Sequence, residues 1–159
     1  MASAPAWAKM IGMILFREFE IKTGGCLDAV DLTEDVAEVV SASGVVNGSV
    51  LVCSPHTTCC VLLATPGPDT TEALERTMKA LASPDDYYFH DDLTIRTENL
   101  VEDEPANAPA HIAHAFLGRS SECVPILQGK VLLGEDQRVL LLELDCSRVR
   151  RYYVQVTGE

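Results

Sequence analysis

An α+β fold in a single domain is predicted for this chain, and three observations carry the prediction. The strand-like and helical stretches run β-α-β-β-α, then a short helix and a run of strands, about seven strands and three helices in all. That order lacks the regular strand–helix alternation of a parallel α/β sheet. The length, 159 residues, suits one core that needs no disulfide or metal staple. No internal repeat, linker or low-complexity block divides the chain.

The elements are justified in order. Residues 1–13 read as a loose Ala-rich extension, with residues 14–159 as the domain. The apolar run Met10 to Phe16 is short and broken by Gly12, so it is expected to be neither a leader nor a membrane span. Leu15 to Lys22 alternates as a half-exposed strand, with Leu15, Arg17, Phe19 and Ile21 on one face. Thr33 is the expected N-cap of a helix with Glu34 and Asp35 in its first turn and Val36, Val39 and Val40 as its apolar stripe. Gly44 is its left-handed stop.

Ser49 to Cys53 is a short branched run, a buried strand, and Val61 to Ala64 resumes it after the seam Ser54-Pro55-His56-Thr57-Thr58-Cys59-Cys60. Asp69 is expected to cap a second helix, with Glu72 completing a capping box and Leu74, Met78 and Leu81 as the buried stripe. Residues 85–108 read as a long polar loop with a short strand near Leu93. Pro109 to Leu117 is a short helix that stops at Gly118. Strands follow at Cys123 to Leu127, Lys130 to Leu133 across a Gln128-Gly129 turn, Val139 to Leu144, and Tyr152 to Thr157.

Composition excludes some functions. The 24 acidic and 12 basic residues leave a net charge of −12, which argues against a general nucleic-acid footprint. A local pocket can still oppose that charge for a small anion. Six cysteines without a C-x-x-C pair read as reduced thiols of a cytoplasmic protein, with Cys53, Cys59, Cys60 and Cys123 in the core. A glycine-rich phosphate loop and a G-x-S-x-G elbow are both missing from the sequence.

The polar groups that remain cluster around His56. Thr57 and Thr58 sit beside it at a strand end, where a rigid scaffold holds side chains at fixed positions. His90 opens the long loop and His111 opens the short helix, so three histidines are available as a zinc ligand set, although spacing this wide is no motif. The free N–H groups at Pro109-Ala110-His111 favour an anion such as phosphate, with Ser120 and Ser121 as further donors. His114, one turn after His111, reads as a surface or interface residue, and a Cys–His nucleophile is disfavoured because Cys59 and Cys60 continue a buried run.

In this order and spacing the residues resemble the YjbQ or UPF0047 family, also called secondary thiamine-phosphate synthase. The resemblance runs from Asp31-Leu32-Thr33-Glu34-Asp35-Val36 through Val50 to Thr58, Tyr87-Tyr88-Phe89-His90, Pro109-Ala110-His111-Ile112, Phe116-Leu117-Gly118 and Gly129 to Gly134. It closes with Gln137, Glu143 and Val154 to Glu159. It implies a seven-stranded sandwich assembled as a homotrimer about a three-fold axis. It also implies that His56, His90 and His111 converge on a divalent metal, zinc by ligand type.

The activity it implies joins a hydroxymethylpyrimidine diphosphate to a thiazole phosphate, with Thr57 and Thr58 acting on phosphate oxygens. A metal-dependent phosphohydrolase and a non-catalytic trimeric small-ligand-binding protein are the alternatives. Departures from the pattern are Ala64 and Thr65 where the family carries Asn-Glu, and Gly134-Glu135-Asp136-Gln137 where it carries Gly-Thr-Trp-Gln. The loop after His90 is also longer and keeps only Ala106-Asn107 of a Glu-Gly-Asn run.

Overall fold

The structure is a computed structural model that describes residues 13–98 and 105–159, so the expected extension lies almost wholly outside the described residues. Among the described residues there are eight strands in two antiparallel sheets and three α-helices. The first sheet has five strands. In it β1 (Met13–Lys22) pairs over its whole length with β8 (Val149–Gly158), β8 with β3 (Asn47–Cys53), and β3 with β5 (Ser121–Leu127). The edge is β6 (Lys130–Val131), joined to β5 by a two-residue turn in which Gln128 and Gly129 have φ of 53° and 74°. Two positive φ values mark the tight hairpin turn whose twist matches the strands it joins.

The second sheet has β7 (Arg138–Glu143) between β2 (Ala29–Asp31) and β4 (Cys59–Ala64). Strand β2 is the element the pattern did not foretell. Three residues are too few for a period to show, and the strand exists because Ala29, Val30 and Asp31 find Leu142, Leu141 and Leu140 as partners. Strand β8 begins three residues earlier than expected, in the polar Val149-Arg150-Arg151, because β1 is there to pair with it.

Layering explains the composition of each strand. Val50, Val52, Val154 and Val156 from the first sheet meet Val61, Val139 and Leu141 from the second in the main core. Helix α1 (Thr33–Ser43) completes that core with Val36, Val39 and Val40. Helices α2 (Pro68–Leu81) and α3 (Ala108–Leu117) cover the far side of the second sheet, where Cys60, Leu142, Leu144, Ala110 and Ala113 form a smaller core. Strand β7 is therefore buried on both faces, so its sequence is a continuous Leu-rich run rather than an alternation. Cys59 and Cys60 accordingly point into different cores.

Several local expectations are corrected. Thr33 is the first helical residue of α1 rather than its cap. The capping role falls to Asp31, whose carboxylate accepts the Thr33 N–H at 2.8 Å, while Thr33 Oγ1 accepts the Val139 N–H at 3.0 Å. The hydroxyl is thus spent on tying α1 to β7. Helix α2 starts at Pro68 with no side-chain cap from Asp69, and Leu81 is exposed rather than part of the buried stripe. No strand forms near Leu93, which is exposed in a turn after a short 3-10 turn at Phe89–Asp91. Cys123 lies on the outer face of β5 and is exposed, so it is not a core thiol.

Gly44 does supply the left-handed stop of α1, at φ 70°. Gly118 ends α3 for a different reason: its backbone is extended, and a Cβ there would collide with Cys60 Sγ.

Candidate functional site

The chain passes between the sheets twice at one end of the sandwich. Residues 54–58 carry it from β3 to β4, and residues 144–148 carry it back from β7 to β8. The two crossings run side by side, with the Leu144 N–H donating to the Thr58 carbonyl at 3.0 Å. The N-terminal end of α3 closes over them. A pocket of about 300 Å³ lies between these three segments, lined by Pro55, His56, Thr57, Thr58, Pro105, Asn107, His111, Arg148 and Arg150.

Its floor is a buried ion pair. Glu143, fully buried at the end of β7, accepts Nε and Nη2 of Arg150 on its two oxygens, the former at 2.7 Å. Thr23 Oγ1 donates to the same carboxylate at 2.8 Å and the Asp145 N–H at 3.0 Å. Burial alone would raise the Glu143 carboxyl, but hydrogen bonds from Arg150, Thr23 and Asp145 outweigh it and hold the group below its ordinary range. Arg150 Nη2 also donates to Thr58 Oγ1 at 2.9 Å, which aims that hydroxyl. Arg148 is held in turn by Asp145, Nη2 to Oδ2 at 2.7 Å.

His56 and His90 each have one ring nitrogen committed. His56 Nε2 accepts the backbone N–H of Arg151 at 2.9 Å, which places the proton of the neutral ring on Nδ1. Burial, then the charge of Arg150, holds this ring below its ordinary pKa. His90 Nδ1 lies 2.9 Å from Asp91 Oδ1, and the same oxygen accepts the Ala108 N–H at 2.9 Å, so the first turn of α3 fixes both. Burial, then the neighbouring His90, lowers the pKa of the His111 ring.

The rings of His90 and His111 are 4.9 Å apart between centroids. His111 shares the pocket with His56, whereas His90 stands outside its lining. Among the described residues, no three His, Cys, Asp or Glu side chains are grouped to hold a metal ion. His90 and His111, whose rings stand close together, carry imidazole donors of the type a zinc ion takes. His56 does not fit in this arrangement, because the Arg151 amide already occupies the lone pair on Nε2.

Thr57 and Thr58 both line the pocket; Ser120 and Ser121 do not. The Ser120 carbonyl accepts the Ser54 N–H at 2.7 Å and Ser121 pairs with Cys53, so this pair braces the seam from behind. His114 is half-buried, with an Nε2 atom that is buried without a partner. Arg148, Arg150 and Asn107 are the pocket residues that sequence reasoning missed. The arginines sit in a charged stretch that looks like a solvated turn, and only an unusual glutamate inside the Leu140–Leu144 run hints that a buried cation must face it.

Three comparisons place the chain among known proteins. A family profile described as "UPF0047 protein YjbQ-like" matches residues 17–159. A UPF0047 protein of Archaeoglobus fulgidus is 33% identical over 138 residues, which is 87% of this chain and 98% of that protein. A crystal structure of a YbjQ-like protein of unknown function from Sulfolobus solfataricus P2 superposes with a TM-score of 0.80 at 27% identity, over 93% of this chain and 99% of that one. A hypothetical protein of Aeropyrum pernix K1 gives 0.76 at 30% identity, over 91% and 99%. With a profile that spans nearly the whole domain and relatives matched end to end, the chain belongs to the YjbQ/UPF0047 family.

Proposed function

We propose that the pocket at the sheet crossings binds the phosphate of a phosphorylated small molecule, in an enzyme that acts like a secondary thiamine-phosphate synthase. The observation that carries the phosphate reading is two arginines and two threonines lining one pocket on a protein of net charge −12. Guanidinium groups fixed by carboxylates are rigid donors, the kind that suits the oxygens of a phosphate monoester. In the proposed reaction the thiazole nitrogen attacks the pyrimidine methylene carbon, and the C–O electrons depart with the diphosphate. Arg148 and Arg150 would hold the thiazole phosphate, with Thr57 and Thr58 orienting its oxygens.

A divalent ion, zinc by donor type, belongs to this reading at His90 and His111, and when bound would neutralise phosphate charge. The reading also includes self-association as a homotrimer, supported by the outer face of the five-stranded sheet, which no described residue covers. There Ile14 is 68% and Phe16 51% exposed. A cytoplasmic setting is in keeping with six free thiols. No helix of the described residues is long and apolar enough to cross a membrane.

The test is to incubate the purified chain with hydroxymethylpyrimidine diphosphate and thiazole phosphate and to follow thiamine phosphate and pyrophosphate together. Stoichiometric release of both supports the transferase. Inorganic phosphate released from either substrate alone would favour the phosphohydrolase, and binding without turnover the non-catalytic protein.

A further inference from the structure

Asn107, immediately before α3, is only 7% exposed. The orientation of its amide is set by its neighbours. Nδ2 donates to Asp145 Oδ2 at 2.8 Å, the same oxygen that takes Arg148 Nη2 at 2.7 Å. With the nitrogen side tied to a carboxylate, Oδ1 is the end left over, and it is buried without a partner. Asn107 lines the pocket together with Arg148 and Arg150, so the orphaned acceptor belongs to the anion-binding residues and not to a remote part of the core. A buried acceptor without a protein partner is relieved by an incoming N–H or O–H.

The charges in the pocket point the same way. Arg148 is paired with Asp145 and Arg150 with Glu143, so the guanidinium groups offer donors without an excess of positive charge. Nε and Nη2 of each are spent on protein groups, which leaves Nη1 of each for a ligand. Such a pocket favours an oxyanion of low charge. A fully deprotonated oxyanion would also set its lone pairs against Asn107 Oδ1, whereas a protonated one supplies the missing donor.

We infer that Asn107 is a specificity-determining residue, which makes the pocket select a phosphate monoester in its singly protonated form. The P–OH donates to Asn107 Oδ1 while Arg148 and Arg150 donate to the remaining oxygens. The inference rests on the phosphate reading above and adds the protonation state and the class of anion.

The test compares two monoanions of the same shape by calorimetric titration of the whole chain at about pH 5, about one unit below the second pKa of a phosphate monoester. Methyl phosphate carries a proton there and methyl sulfate carries none. The expected result is a preference of about ten- to a hundredfold for methyl phosphate, the worth of one hydrogen bond to an otherwise orphaned acceptor. In Asn107→Ala the preference should vanish, chiefly through weaker methyl phosphate binding. Equal affinities in the unaltered protein overturn this inference and leave the phosphate reading standing. Binding of neither anion overturns both, and a preference that persists in Asn107→Ala shows that another group reads the proton.

Discussion

Glu143 and Arg150 set the chemistry of the site and much of the energetic risk in the fold. A carboxylate with no exposed surface is tolerated only because four donors saturate it, two of them from one guanidinium. Replacing Arg150 by Met leaves the Glu143 charge buried and uncompensated. The expected loss is about 3–5 kcal/mol, measured by urea unfolding; an unchanged midpoint would show that the pair contributes little. The histidines impose a pH dependence of definite sign. His56, His111 and His114 are all held below their ordinary value of 6.5, with burial as the first cause. Between that value and the lower native one, the unfolded chain binds more protons than the folded chain. Stability is therefore full above pH 6.5 and declines as the pH falls through that window, before the lowered Glu143 carboxyl adds its own loss at more acid pH. Urea midpoints taken across the range test this, and a midpoint that rises on acidification would reverse the assignment.

The crossing of α3 over β4 is the contact between elements that places His111. Its closeness depends on Gly118, which lies directly over the buried Cys60, whose thiol burial pushes up to about 12. Gly118→Ala should cost about 1–3 kcal/mol by overpacking. The double variant with Cys60→Ala should recover part of that loss, because the colliding sulfur is gone. Simple additivity in thermal unfolding would mean that the two residues are not coupled as their positions imply. A similar exchange between elements governs the start of α1, where Asp31 caps the helix and thereby frees Thr33 to hold β7.

Among the described residues, the sandwich covers one of its sheets with helices and leaves the outer face of the other bare. On the bare face Phe16 stacks on Tyr153 with ring centroids 5.4 Å apart, but neither ring belongs to a core. If three copies associate through this face, Phe16→Glu will leave the far-ultraviolet circular dichroism unchanged and convert the assembly to monomers in sedimentation velocity. A variant that sediments like the parent would move the interface elsewhere.

The α+β class, the three helices and seven of the eight strands were legible in the sequence, because apolar period and breakers are local properties of the chain. His56, Thr57 and Thr58 at a strand end were legible for the same reason, as polar residues interrupting an apolar run. Strand β2, the Asp31 cap and the paired arginines were not legible, since each exists only through a partner distant in sequence. Only the tertiary structure could decide that Arg150 lies under Thr58, that the Arg151 amide takes the lone pair of His56, and that Asn107 faces the arginines with an acceptor to spare. Those facts arise where two sheet crossings meet a helix end, and hydrophobic pattern fixes which residues are buried without fixing which polar groups meet.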